Sequence, residues 1–144
     1  TVGQTYPWLY GTYGTFDFVV ETGKGTHIFP DSEVAGIVRS NLEGVRYILN
    51  RGKGPGLTGH ITDAKTGKPL QATVWFPAIE TEDVKRRMSE PQFGRYWRPL
   101  SPGKYYLVVA KQGYQTKVLK DVEVKVGEWT TLDITLQSDS RQRD

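Results

Sequence analysis

The chain contains no cysteine. No disulfide can staple it and no thiolate can hold zinc, while the cellular compartment stays open. Histidine occurs only twice, at His27 and His60. A zinc site needs converging His and carboxylate ligands, commonly with one close pair on a turn or helix. His27 has no such partner and His60 lies in another segment, so no metal ligand is assigned and His27 reads as a structural or surface residue. No apolar run reaches the roughly 18 residues of a helical membrane span. No segment shows the charged, apolar and small-residue order of a signal peptide. Long blocks of one charge are also missing. The net charge of +3 is spread along the chain, and Lys85-Arg86-Arg87 and Arg95 with Arg98 are short clusters. Such clusters are solvated faces rather than a nucleic-acid patch, so no nucleic acid is expected. The 144 residues, 37% of them hydrophobic, allow one domain with a core, or a domain plus a fragment of another.

What is present begins with 14–23, Gly-Thr-Phe-Asp-Phe-Val-Val-Glu-Thr-Gly. Phe16, Phe18 and Val20 alternate with Asp17, Val19 and Glu21, which is the period of a strand with one apolar face. Glu21 ends the run. On spacing alone it is a solvated Glu at a strand end. A carboxylate at the carboxyl end of a strand, just before Gly, is also where open α/β sheets place reacting groups. Residues 1–13, rich in Gly, Tyr and Thr, read as a loop.

Residues 31–50 read as a helix, capped by Asp31 or Ser32 and with Glu33 at its positive end. Val34, Ile37, Val38, Leu42, Val45, Ile48 and Leu49 form one apolar stripe, with Arg39, Glu43 and Arg46 on other faces and Arg51-Gly52 at the end. One strand, one loop and one amphipathic helix cannot make a domain, because the stripe needs a sheet to cover. Residues 1–52 are therefore expected to be the tail of a larger α/β domain. Lys53-Gly54-Pro55-Gly56 is a linker by composition.

From Leu57 the period becomes two and stays there. Strands are expected at 57–62, 70–76, 94–100, 104–111, 114–119, 122–126 and 129–136, with a loop and a short edge strand within 78–91. Turns fall at 63–69, 101–103 and 112–113. Leu70, Ala72, Val74 and Phe76 share one face, as do Tyr105, Leu107 and Val109. About seven short strands separated by Gly and Pro turns predict a β-sandwich. Trp75 and Trp97 fall opposite the core set Val74, Phe76 and Tyr96, and Tyr106 and Val108 can join them. This outer aromatic set is either a contact face or a closure of the sandwich itself. Residues 137–144 are polar and read as a disordered tail.

The run 6–23 resembles the end of the active site of a zinc metallocarboxypeptidase of the pancreatic and regulatory carboxypeptidase type, in which a strand rich in Phe, Thr and Val ends on the catalytic Glu. The resemblance implies that Glu21 is that Glu. It would take a proton from a zinc-bound water, whose pKa the metal lowers to about 7, and pass it to the leaving amine. It also implies that Tyr6 and Val19 line the pocket for the C-terminal side chain of a peptide substrate. The cofactor zinc, its ligands, the arginines that grip the substrate carboxylate and the family's mobile Tyr are then expected upstream of this chain. No acidic residue lies between Thr1 and Gly14 to select a basic side chain.

A second resemblance covers most of 57–136. Gly59 to Leu70, Gly94-Arg95-Tyr96, Leu100 to Leu107 and Gly113-Tyr114 resemble a carboxypeptidase regulatory-like domain, transthyretin-like in fold. The transthyretin-like hydrolases need several His and Arg residues, and His60 is the only His of this half, which argues against their chemistry. Together the resemblances imply a mainly β chain: a seven-stranded transthyretin-like sandwich at 57–137, preceded by the last strand and helix of an α/β carboxypeptidase domain at 1–52, a linker at 53–56 and a tail at 138–144. The outer aromatic face would then pack on the rest of the carboxypeptidase domain, and the parent would be secreted or periplasmic. Two functions stand: the C-terminal part of a zinc carboxypeptidase, inactive by itself, or a non-catalytic binding or folding module in which Glu21 has no role.

Overall fold

The computed structural model describes residues 5–13, 15–22, 28–80 and 86–139. In these, two helices, α1 (Thr5–Tyr13) and α2 (Asp31–Arg51), precede eight strands. The strands are β1 (Gly56–Asp63), β2 (Thr73–Trp75), β3 (Arg87–Met88), β4 (Arg95–Pro99), β5 (Gly103–Ala110), β6 (Lys117–Val124), β7 (Trp129–Thr131) and β8 (Ile134–Leu136). They form two four-stranded sheets. One has the order β4-β1-β7, with β8 also pairing β1; the other runs β3-β2-β5-β6. The core lies between them. Leu70, Ala72, Val74 and Phe76 meet Leu107 and Val109 there, with Leu57, Ile61, Tyr96, Ile134 and Leu136 from the facing sheet. The inward sets that the period-two pattern predicts are thus buried.

The strand count is eight rather than seven, and the differences have local causes. The expected strands at 114–119 and 122–126 are one strand, β6. Tyr105 pairs Val122 and Leu107 pairs Leu119, so Tyr106 faces both Lys120 and Asp121 in a β-bulge. Asp121 takes the extra residue with φ of +55°, a conformation Asp tolerates better than most. The expected strand at 129–136 is instead split into β7 and β8, both parallel to β1 and in the same register. At the break the Asp133 carboxylate, not a backbone carbonyl, accepts the His60 N–H at 2.8 Å. Gly59 is required here, because a Cβ would overlap the Leu132 carbonyl. The short edge strand expected in 78–91 is β3. Residues 138 and 139, expected in the tail, are joined to the sandwich: Tyr114 bridges Ser138, and the Asp139 N–H donates to the Gly113 carbonyl at 2.9 Å.

The N-terminal part departs further. Residues 5–13 are a helix and not a loop. Pro7 falls in its first turn, where an N–H has no helical partner to lose. Residues 15–22 form no strand. An alternating run becomes a strand only with a ladder partner, and none pairs with it among the described residues. The pattern still shows locally, since Phe16 and Phe18 stack with ring planes 8° apart. In α2 the expected helix is present, but neither Asp31 nor Ser32 caps it. Pro30 is the N-cap, without a side-chain hydrogen bond. None of its residues is buried, so its apolar stripe is left largely uncovered among the described residues. The stretch expected as a linker is packed. Gly54 is buried against the backbone of Glu128 and Trp129, and Trp129 Nε1 donates to the Gly52 carbonyl at 3.0 Å.

Candidate functional site

The three site residues taken from the sequence do not line the cavities described below. Tyr6 sits half-buried on α1. Val19 and Glu21 are exposed in the extended stretch after it, Val19 to 70%. His27 lies outside the described residues. His60 is exposed on β1, with Nδ1 3.3 Å from Asp133 Oδ1. Among the described residues, no three His, Cys, Asp or Glu side chains converge as metal ligands. No described helix is long and apolar enough to cross a membrane.

The polar centre of the molecule lies elsewhere. At the end of the sandwich, Arg98 of β4 pairs with Glu80, and the two side chains are only 6% and 2% exposed. Arg98 also stacks over Phe76, 5.1 Å from the ring centre. Arg87 of β3 stands beside them. Burial and the neighbouring Arg98 charge lower its pKa, while Tyr10 and Glu80 act in the opposite sense. Its Nη2 donates to the Tyr10 carbonyl at 3.0 Å. These three side chains, with Tyr10, Phe16, Ile79, Pro99 and Leu100, line a cavity of about 70 Å³. Glu80 Oε2 and Arg87 Nε are buried without hydrogen-bond partners. The cluster therefore joins the N-terminal segment to the sandwich through two cations and one anion. Sequence reasoning missed it, although one signal was present. Tyr96, Arg98 and Leu100 share a strand face, so Arg98 points inward and needs a buried partner.

A second, apolar groove of about 490 Å³ lies at the same junction, lined by Phe16, Phe18, Tyr47, Ile48, Arg51, Gly52, Trp97, Pro99 and Trp129. The outer aromatic set of the sequence is here divided. Trp97 belongs to the β4-β1 sheet and faces this groove, whereas Trp75 belongs to the β2-β5 sheet, where it carries Arg86 4.1 Å above its ring. The two tryptophans therefore do not form one contact face.

At the opposite turn, Asp63 organises the loop expected at 63–69. Its Oδ1 accepts the N–H groups of Lys65 and Thr66 at 2.9 and 2.7 Å, and its Oδ2 accepts the Tyr114 hydroxyl at 2.8 Å. The Thr66 amide above all, then the Tyr114 hydroxyl, hold the Asp63 carboxyl down at about 2. The same bond raises the Tyr114 pKa.

Comparison with known proteins finds relatives for the sandwich residues. Residues 56–137 match the family model described as the carboxypeptidase regulatory-like domain. The chain is 29% identical to carboxypeptidase D of Rattus norvegicus over 82 residues, covering 57% of this chain and 6% of that protein. It is 30% identical to carboxypeptidase D of Homo sapiens, again over 57% of this chain and 6% of that protein. It is 39% identical to carboxypeptidase E of Caenorhabditis elegans over 61 residues, 41% of this chain and 13% of that protein. The chain thus spans a small part of each relative's length. Among solved structures, a chain of a type II cohesin–X-dockerin complex from Acetivibrio cellulolyticus aligns with a TM-score of 0.45 and 19% identity, covering 59% of this chain and 58% of that one. With two packed sheets at 56–137 and the family match over the same residues, the chain belongs to the carboxypeptidase regulatory-like domain family.

Proposed function

We propose that this chain is the C-terminal part of a zinc-dependent carboxypeptidase that removes C-terminal residues from peptides and proteins. In this reading residues 1–52 end the catalytic domain, the sandwich from 56 is its regulatory-like domain, and the short stretch between is a packed joint. The observation that carries the reading is the order along the chain. The family match at 56–137 directly follows an amphipathic helix and an alternating run ending on Glu21, which resemble the end of such a catalytic domain. The uncovered stripe of α2 supports it, because a 21-residue helix with this pattern ordinarily packs on a sheet. The sheet would belong to the rest of the catalytic domain.

Glu21 would serve as the general base, moving a proton from the attacking water to the leaving amine. Tyr6 and Val19 would line the pocket for the substrate's last side chain. The described residues do not compose a zinc site. Zinc and its ligands would therefore belong to the rest of the catalytic domain, and residues 1–144 alone would be inactive. Export to the periplasm or the cell exterior follows from the same reading. The alternative is a non-catalytic binding or folding module. The exposure of Val19 and Glu21, apart from the polar cluster at Arg98, favours it.

Intact mass and zinc content measured on one preparation separate the two. A longer chain, or a co-purifying N-terminal piece, with about one zinc per Glu21 supports the carboxypeptidase. Full-length gene product that binds no zinc supports the module.

A further inference from the structure

Helix α1 is nine residues long, and a helix this short is marginal in water without outside support. It carries no acidic residue in its first turn and no basic residue in its last. Nothing in its own sequence offsets the negative end of its dipole. Its last turn opens at Tyr10, and the carbonyls of that turn form the negative end.

The partner for Tyr10 comes from the sandwich. Arg87, on the edge strand β3 and 77 residues further along, donates Nη2 to the Tyr10 carbonyl at 3.0 Å. Its guanidinium carbon lies 5.2 Å from the centre of the Tyr10 ring. One side chain thus supplies a charge-assisted hydrogen bond to a carbonyl of the last turn, a cation at the negative helix end, and a cation–π contact. Arg87 is itself well placed for this. Glu80 is engaged by Arg98, so the cluster carries one positive charge in excess, and Arg87 brings it to the helix.

We infer that Arg87 is the C-terminal cap of α1, supplied by the sandwich, and that the helical state of residues 5–13 depends on it. This end of the sandwich is a docking surface whose occupant is α1 of the same chain. The inference does not rest on the carboxypeptidase reading. If that reading holds, the sandwich orders the segment that leads into Glu21.

The test is hydrogen exchange on the 144-residue chain. Wild type should show protected amides within 5–13. Arg87→Ala should speed their exchange roughly tenfold or more, the scale of a lost charged hydrogen bond, and leave β5 unchanged. Arg87→Lys keeps the charge but loses the planar fork, and should fall between. Peptide-like exchange of 5–13 in the wild type, or unchanged protection in Arg87→Ala, would overturn the inference. Should Arg87→Ala also loosen β5, Arg87→Met decides, since it keeps the apolar stem on β3 and removes the guanidinium that reaches the Tyr10 carbonyl. Faster exchange confined to 5–13 supports the cap, and none overturns it. Zinc and peptidase measurements do not enter, so loss of the carboxypeptidase reading leaves this result standing.

Discussion

Removing Glu80 should be among the most damaging single changes in the sandwich. Glu80 and Arg98 are 2% and 6% exposed, so neither can be rescued by water. Deleting one partner of a buried pair costs about 3–5 kcal/mol, because the other charge is left without compensation. The surroundings make the two single changes unequal. Glu80→Leu leaves Arg98 and Arg87 without the carboxylate that lines the cavity with them, which places it at the upper end. Arg98→Met leaves Glu80 beside Arg87, which can take part of the charge, and places it at the lower end. The double variant removes the pair together and should lie within about 1–2 kcal/mol of wild type, as apolar replacements of buried pairs often do. Urea unfolding followed by tryptophan fluorescence measures all four proteins, with an unchanged slope confirming that only stability has moved. For a domain of this size Glu80→Leu should lower Tm by more than about 10 °C. A cost under about 1 kcal/mol for Glu80→Leu, or strict additivity of the two changes, would refute the buried-pair account.

Gly59→Ala should cost about 1–3 kcal/mol or more, because its Cβ meets the backbone carbonyl of Leu132, which cannot move without breaking the β1–β7 and β1–β8 ladders; thermal unfolding checks it. The lowered pKa of Asp63 stabilises the fold above its ordinary value near 3.8, and this contribution is lost as pH falls toward 2. Asp63→Asn should therefore show a flatter fall in stability between pH 4 and 2 than wild type, read by urea midpoints across that range. Trp97→Ser should increase protease cutting around 51–54 by opening the aromatic groove, whereas Trp75→Ser on the other sheet should not; equal effects of the two would contradict the division of the aromatic faces.

The sandwich was largely legible because each strand carries its own period-two signal and its own turn residues. Leu70 to Phe76 and Leu107 to Val109 needed no tertiary knowledge to be placed inward. The miscounted strands lie where a long-range feature decides. The bulge at Asp121 depends on the register with Tyr105, and the break before β8 depends on the Asp133 side chain reaching His60. Neither has a local signature. The N-terminal part was less legible for a related reason. The alternation of 16–21 is a statement about a ladder, and no described residue pairs with it. Helix α1 was read as a loop because 1–13 is rich in Gly, Tyr and Thr and shows no helical period. Composition shows nothing of the packing at 53–56, where Gly54 lies against the backbone of Glu128 and Trp129 and Gly56 against the Trp129 ring. Of the candidate site, Glu21 was singled out by its place in a pattern, while the Glu80–Arg98–Arg87 cluster was overlooked because its members lie far apart in sequence.

Under the proposed function Glu21 is the general base of a zinc carboxypeptidase. The most direct measurement is release of C-terminal residues from a peptide by the full-length gene product, wild type against Glu21→Gln, with zinc content determined for both. Equal zinc and a loss of kcat of about 10²–10⁴-fold in the variant, the scale of a general base, are expected. Equal activity of the two proteins, or no activity in a zinc-loaded wild type, would contradict that proposal.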